Sequence, residues 1–190
     1  MNKERLFHTI RLWTIGGSYK RTEYLKKNNV YGSIGNNCSI MDRRVPLYPN
    51  LIFLGDNVHI ASRVEFITHD IIHVVLNGML EEKNFHENIG CIKIENNVFI
   101  GTGSIILGDV KIGSNVIVAA GSVVAKDIPS NSVVGGNPAR VICSFEEYVQ
   151  KRRIKEKDNM WFETYRIENQ NVSEELKDFL SDYFDKKRSK

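Results

Sequence analysis

Five histidines, His8, His59, His69, His73 and His86, are the side chains here that exchange a proton near neutral pH. A neutral imidazole, with a pKa of about 6.5, can take the proton from an attacking hydroxyl. Three imidazoles together could instead hold zinc and leave a fourth position open. His69 and His73 are four residues apart, and His59 or His86 could be the third ligand, but no supporting pattern surrounds His73. A lone histidine at a loop mouth reads as a surface group. The three cysteines, Cys38, Cys91 and Cys143, are odd in number and lack metal-ligand spacing, so they read as reduced thiols. The sequence has no Gly-x-Ser-x-Gly elbow, no P-loop and no cysteine with a paired histidine motif.

The elements that must position these groups follow from a period of six. Ile94, Ile100, Ile106, Ile112, Val118 and Val124 keep that interval, as do Leu54, Ile60 and Phe66, and Ile34 and Ile40. A helix repeats near 3.6 and a strand at 2, so neither alone explains it. A fixed hexapeptide period marks a parallel β-helix, an all-β solenoid. Three hexads make one triangular coil of eighteen residues, with the first aliphatic of each filling a corner of the prism. Gly and Asn follow at the bends, where a positive φ is needed.

Breaks of phase locate insertions. From Ile40 to Leu54 is 14 residues and from Phe66 to Ile94 is 28, neither a multiple of six. Loops therefore leave the coil near 42–53 and near 70–92, the second carrying Asn77-Gly78, a turn signal. A long solenoid loop is functional or disordered. His69, in Phe66-Ile67-Thr68-His69-Asp70, stands where the second loop begins.

The ends are not repeat. Residues 1–29 form an N-terminal helical segment, with Leu6, Phe7, Ile10 and Trp13 on one side. The β-helix occupies 30–143, and 144–190 is a C-terminal helical segment. Ser144-Phe145-Glu146-Glu147 is a capping box opening a helix to about Asp158. Leu176, Phe179, Leu180, Tyr183 and Phe184 make the apolar stripe of a last helix, expected to pack on its own prism.

From Ile94 to Ile142 the chain resembles the left-handed β-helix O-acetyltransferases. The resemblance rests on Phe99-Ile100-Gly101-Thr102-Gly103-Ser104, on Ala119-Ala120-Gly121-Ser122-Val123-Val124-Ala125-Lys126-Asp127-Ile128-Pro129, and on Gly136-Asn137-Pro138-Ala139-Arg140-Val141-Ile142. Maltose, galactoside and xenobiotic acetyltransferases share these stretches, as do many capsule and O-antigen acetyltransferases. The similarity covers about residues 30–145. It implies a left-handed coil, an exception to the usual crossover rule. It also implies a homotrimer with active sites between subunits, and acetyl-CoA lying in the groove between neighbouring prisms.

The same resemblance implies roles. Leu54-Gly55-Asp56-Asn57-Val58-His59 precedes His69 as a similar coil precedes the catalytic histidine of the sugar enzymes, so His69 is assigned as general base. Asp70, Asp42, Asp56 or a backbone carbonyl would fix its tautomer. Gly101 and Thr102 would line the thioester end, where a backbone N–H can meet the oxyanion. Ala119, Ala120 and Ala125 would lie along the cofactor, and Lys126 and Arg140 would meet its phosphates. Ala125 replaces a common Thr, and Cys143 a common Arg. Without a nucleophile motif, direct attack in a ternary complex is preferred. No metal is required.

Asp42, Asp70 and His73 are candidate acceptor contacts, with Asn77, Glu81, Glu82 and His86 further along the loop. The acceptor is expected to be a hydroxyl of a sugar or surface-polysaccharide precursor, small or lipid-linked. Met160-Trp161-Phe162 before the last helix resembles the xenobiotic enzymes, so an antibiotic hydroxyl is the alternative. Two other readings stay open, a zinc hydratase resembling the γ-type carbonic anhydrases and a non-catalytic binding platform.

Charge and hydropathy exclude other classes. A net charge of +3 without aromatic-basic interleaving argues against nucleic acid. No apolar run is long enough to span a bilayer, and residues 1–11 are too charged for a signal peptide, so a cytoplasmic location is expected. Residues 1–30 are locally basic, with Lys3, Arg5, Arg11, Lys20, Arg21, Lys26 and Lys27 against Glu4 and Glu23. Such a patch favours an anionic membrane surface, met at most peripherally, or a pyrophosphate-bearing substrate, or is simply a solvated face.

Overall fold

The computed structural model describes residues 3–81, 83–158 and 172–188. Glu82 and the Met160-Trp161-Phe162 segment lie outside them. The chain divides into two units, Met1–Tyr148 and Val149–Lys190. The first opens with α1 (Lys3–Thr14) and α2 (Ser18–Lys27). Short strands follow: β1 (Ser33–Ile34), β2 (Ser39–Ile40), β3 (Ile52–Leu54), β4 (Val58–Ile60), β5 (Glu65–Ile67) and β6 (His69–Asp70). After α3 (Ile72–Met79) come β7 (Asn88–Ile89), β8 (Ile92–Ile94), β9 (Val98–Ile100) and β10 (Ile105–Leu107). The run ends with β11 (Val110–Ile112), β12 (Val116–Val118), β13 (Val123–Val124), β14 (Ser132–Gly135) and β15 (Arg140–Ser144).

The strands stack into three faces. Sheet one runs β1-β3-β8-β11, sheet two β2-β4-β9-β12-β14-β15, and sheet three β5-β10-β13. All these pairings are parallel except β14 with β15. Register shows why six is the period. Ile94 pairs with Ile112, Ile100 with Val118 and Ile106 with Val124, so each first-position aliphatic sits on its counterpart eighteen residues on. Leu54, Ile60 and Phe66 pair with Ile94, Ile100 and Ile106, and Ile34 and Ile40 with Leu54 and Ile60. Ile100, Ile106, Ile112, Val118 and Val124 are fully buried. Burial of each isoleucine is worth about 1.5–3 kcal/mol.

One bend of each coil is held by an asparagine ladder. Asn37, Asn57, Asn97, Asn115 and Asn131 all have φ between 52° and 60°. Their amides bond in series: Asn37 donates to Asn57 at 2.7 Å, Asn57 to Asn97 at 3.0 Å, Asn97 to Asn115 at 2.9 Å, and Asn115 to Asn131 at 2.8 Å. Asparagine suits the site twice, tolerating the left-handed backbone and pairing with the coils on both sides. Asn97→Ala should therefore cost roughly 1–2 kcal/mol in urea unfolding, and Asn97→Gly, which keeps the backbone but not the ladder, less.

The packing of the N-terminal helices sets the direction of their apolar side. α1 buries His8 and Leu12, and His8 Nδ1 shares a hydrogen bond with Tyr24 Oη at 2.8 Å. The Leu6, Phe7, Ile10 and Trp13 side faces outward. At the other end, α4 (Phe145–Asp158) opens with the expected reciprocal cap. Glu147 N–H donates to Ser144 Oγ at 3.1 Å, and Ser144 N–H to the Glu147 carboxylate at 3.0 Å. In the second unit, α5 (Glu174–Arg188) starts on Ser173, whose Oγ accepts from Leu176 N–H at 3.2 Å. Leu176 is buried, whereas Phe179, Tyr183 and Phe184 remain exposed, so the described residues cover only part of the expected stripe.

Candidate active site

His69 follows directly from sheet three. Along β5 the side chains alternate, Phe66 and Thr68 buried and Glu65, Ile67 and His69 not. Thr68 anchors the turn, its Oγ1 donating to Leu47 O at 2.9 Å. The long insertion leaves and returns through one clasp, β6 pairing antiparallel with β7, so that His69 faces Ile89 and Asp70 faces Asn88. Beyond it stands α3, with no buried residue and with Ile71, Ile72, Val74, Val75 and Met79 exposed. Asn77 ties the arm to itself, donating to Phe85 O at 2.9 Å and accepting from Phe85 N–H at 3.1 Å.

The His69 ring rests edge-on against Tyr48, with centroids 5.4 Å apart and planes at 85°. Its Nδ1 is shielded and has no hydrogen-bond partner. Tyr48 holds a left-handed backbone at φ 49° and donates its hydroxyl to the Glu87 carboxylate at 3.3 Å. Partial desolvation, then the Glu87 charge, raises the Tyr48 phenol above its ordinary pKa. Sequence reasoning missed Tyr48 and Glu87. The signal for Tyr48 was present. The first two coils are offset by twenty residues (Ile34 to Leu54, Ile40 to Ile60), which carries Tyr48 to Thr68, beside His69.

The expected carboxylate partners of His69 are engaged elsewhere. Asp70 accepts from Ile72 N–H at 3.0 Å and from Asn88 Nδ2 at 3.1 Å. Those bonds, chiefly the first, hold its carboxyl below the usual range, with His73 and His69 adding to the pull. Asp56 accepts from Asn36 N–H at 2.6 Å. Asp42 accepts from Arg44 N–H at 2.8 Å, and Arg44 reaches on to Glu65 at 3.4 Å. Asp42, Arg44 and Glu65, with Arg5, Leu47 and Ile67, line a cavity of about 320 Å³ where the first coil has no third strand. Its walls Leu47 and Ile67 are one and two residues from Tyr48 and His69.

The histidines do not converge as zinc ligands. His59 is hydrogen-bonded through both nitrogens, to Ser39 Oγ at 2.8 Å and to Asn57 Oδ1 at 3.0 Å. His73 lies on α3 with its Nδ1 shielded and unpaired. Among the described residues no three His, Cys, Asp or Glu side chains are grouped to hold a metal.

The other predicted residues fall on two edges of sheet three. Gly101, Thr102, Ala119 and Ala120 make the bends that enter β10 and β13. A Cβ on Gly101 would lie 2.7 Å from Ala120 Cα, so these bends stack backbone on backbone. Arg140 joins this edge through its pairing with Gly135, its guanidinium donating to Ala139 O at 3.0 Å. Ala125 and Lys126, both exposed, leave β13 on the opposite edge, which is the His69 edge. His69 stands four residues beyond Glu65, the first residue of β5, so about 13 Å of strand at 3.3 Å per residue separates it from the Gly101 edge. One chain alone thus does not bring the base to the glycine bends.

Comparison with known proteins matches this architecture. The family described as "Bacterial transferase hexapeptide (six repeats)" matches residues 91–126. Protein CapG of Staphylococcus aureus is 46% identical over 122 residues, spanning 62% of this chain and 69% of that protein. A maltose O-acetyltransferase from Clostridium difficile 630 superposes with a TM-score of 0.52 at 29% identity, over 75% of this chain and 86% of that one. A galactoside acetyltransferase in complex with coenzyme A gives a TM-score of 0.53 at 25% identity, over 78% and 84%. On the stacked hexads and these relatives together, the chain belongs to the hexapeptide-repeat acetyltransferases.

Proposed function

We propose that this chain is an acetyl-CoA-dependent O-acetyltransferase acting on a hydroxyl of a sugar or surface-polysaccharide precursor in the cytoplasm. The coil is left-handed and three copies assemble, each groove taking His69 from one subunit and the Gly101–Ala120 bends from its neighbour. The observation that carries this reading is the placement of His69 on the edge of sheet three away from those bends. The apolar α3 arm, which has no buried residue among the described residues, supports the assembly by offering a surface to a second subunit.

The acceptor hydroxyl attacks the thioester carbonyl and its proton passes to His69. With Nδ1 shielded and the ring set edge-on against Tyr48, Nε2 is the nitrogen that receives it. The new C–O bond forms as the carbonyl becomes an oxyanion, met by the Thr102 N–H, since those of Gly101 and Gly103 donate to Val118 O and Ser62 O. Collapse breaks the C–S bond, and the thiolate recovers the proton from the imidazolium. Lys126 and Arg140 hold cofactor phosphates, and Asp42, with Arg44 and Glu65, addresses acceptor hydroxyls from the cavity beside Tyr48. Asp70 sets the arm on which His73 stands. The maltose and galactoside enzymes among the solved relatives favour sugar over antibiotic acceptors.

The test is release of free thiol from acetyl-CoA against sugars, nucleotide sugars and antibiotics. Turnover confined to sugar acceptors is expected. Turnover confined to antibiotics would overturn the acceptor assignment, and stoichiometric zinc in the purified protein would overturn the transferase mechanism. Lys126→Ala and Arg140→Ala should each raise the Kd for CoA roughly tenfold by calorimetry, as loss of a charge-assisted phosphate contact does.

A further inference from the structure

Helix α1 turns its apolar side away from the core. Leu12 is 1% exposed, whereas Phe7, Ile10 and Trp13 are 62%, 58% and 64% exposed. Tyr19 at the start of α2 adds 55%, whereas Leu6, 39% exposed, also borders the cavity lined by Arg5, Asp42 and Glu65. On a helical projection Trp13, Leu6, Ile10, Lys3 and Phe7 share one arc of about 120°, with Arg11 at its border. Arg43 lies over the Trp13 ring, 5.4 Å from its centroid, and donates to the Leu12 and Trp13 carbonyls at 3.3 and 3.0 Å. The indole is thereby fixed at the helix end with a cation above it. Lys20 is exposed nearby in sequence. On α1, Lys3, Arg5 and Arg11 stand against one carboxylate, Glu4, and on α2 Lys20, Arg21, Lys26 and Lys27 stand against Glu23.

This composition selects among occupants. A seam between protein subunits is depleted of Lys at its centre. Here Lys3 lies within the apolar arc itself. Aromatic rings mixed with Lys and Arg on an amphipathic helix suit a headgroup layer, where the rings sit at the interface and the cations reach anionic lipid. We propose that the outer face of α1 is a docking surface for an anionic bilayer, with the helix lying in the plane of the headgroups. The inference does not depend on which acceptor the enzyme uses.

The full chain should cosediment with phosphatidylcholine vesicles that contain phosphatidylglycerol, and not with phosphatidylcholine alone. Binding should fall as salt is raised. Phe7→Ser, Ile10→Ser and Trp13→Ser combined should weaken it at least tenfold with an unchanged circular dichroism spectrum. Lys3→Glu with Arg11→Glu, both at exposed positions, should do the same, since each cation near such a surface is worth about fivefold. Failure of the wild-type chain to bind the anionic vesicles overturns the proposal, as does binding that survives both variants. It is equally overturned if the triple variant changes the assembly mass while the wild type ignores vesicles, because the face is then a subunit seam.

Discussion

His69→Ala should lower kcat by about 10²–10⁴ while leaving the Kd for CoA within about twofold. The two halves of that statement come from different parts of the fold. The imidazole stands on the β6 edge of sheet three, braced by Tyr48, and its loss removes the group that takes the hydroxyl proton. The residues assigned to CoA lie on the glycine bends or after β13, in coils other than the one that carries His69. Thiol release measures the first half and calorimetry the second. A variant that keeps more than a tenth of wild-type turnover would remove His69 from the mechanism. Retained partner binding with no activity in either protein would favour a scaffold.

Asp70→Asn separates this arrangement from a carboxylate-oriented base. Were Asp70 the orienting group, its loss would approach the effect of losing the histidine. Its oxygens instead accept from Ile72 N–H and Asn88 Nδ2, so the change in kcat should stay below about tenfold. Any larger share of the effect should fall on KM for the acceptor, because Asp70 fixes the start of the arm.

The prism was legible because its cause is local and repeated. Ile94 through Val124 must fill identical corners, so the sequence prints the coil length directly, and each of these residues is buried. Positive φ at the Asn bends was legible for the same reason. The ladder linking those asparagines was not, since it requires coils to be stacked before one amide meets the next. The helix α3 is not legible because only two polar residues, His73 and Asn77, mark its polar side, and its Asn77-Gly78 reads as a turn. The α1 stripe was legible as a stripe but not in direction. Periodicity says that Phe7, Ile10 and Trp13 share a side, and only the packing of His8 and Leu12 says which way it points. Tyr48 shows the intermediate case, reachable only by carrying the twenty-residue offset through a stretch with no hexad of its own.

Gly101 and Gly103 look alike in sequence, yet they should fail differently. Gly103 has φ 72° and open space where a Cβ would go, so its demand is conformational. Gly101 has no such φ, and a Cβ there would press on the Ala120 and Ala119 backbone. Gly103→Ala should cost about 1–2 kcal/mol, and Gly103→Asn much less, because asparagine already serves in the left-handed region at five bends of this prism. Gly101→Ala should cost about 1–3 kcal/mol or more, and Gly101→Asn at least as much, since no backbone preference relieves a collision with the next coil. Urea unfolding of the four variants checks the order. The functional consequence divides the same way. Moving the 119–121 backbone displaces the stretch proposed to lie along the cofactor, so Gly101→Ala should raise the Kd for CoA at least tenfold, about 1.4 kcal/mol. Gly103→Asn should leave it nearly unchanged. If both sites accept asparagine equally, the coils are not in contact at Gly101, and the case for cofactor lying against that bend goes with it.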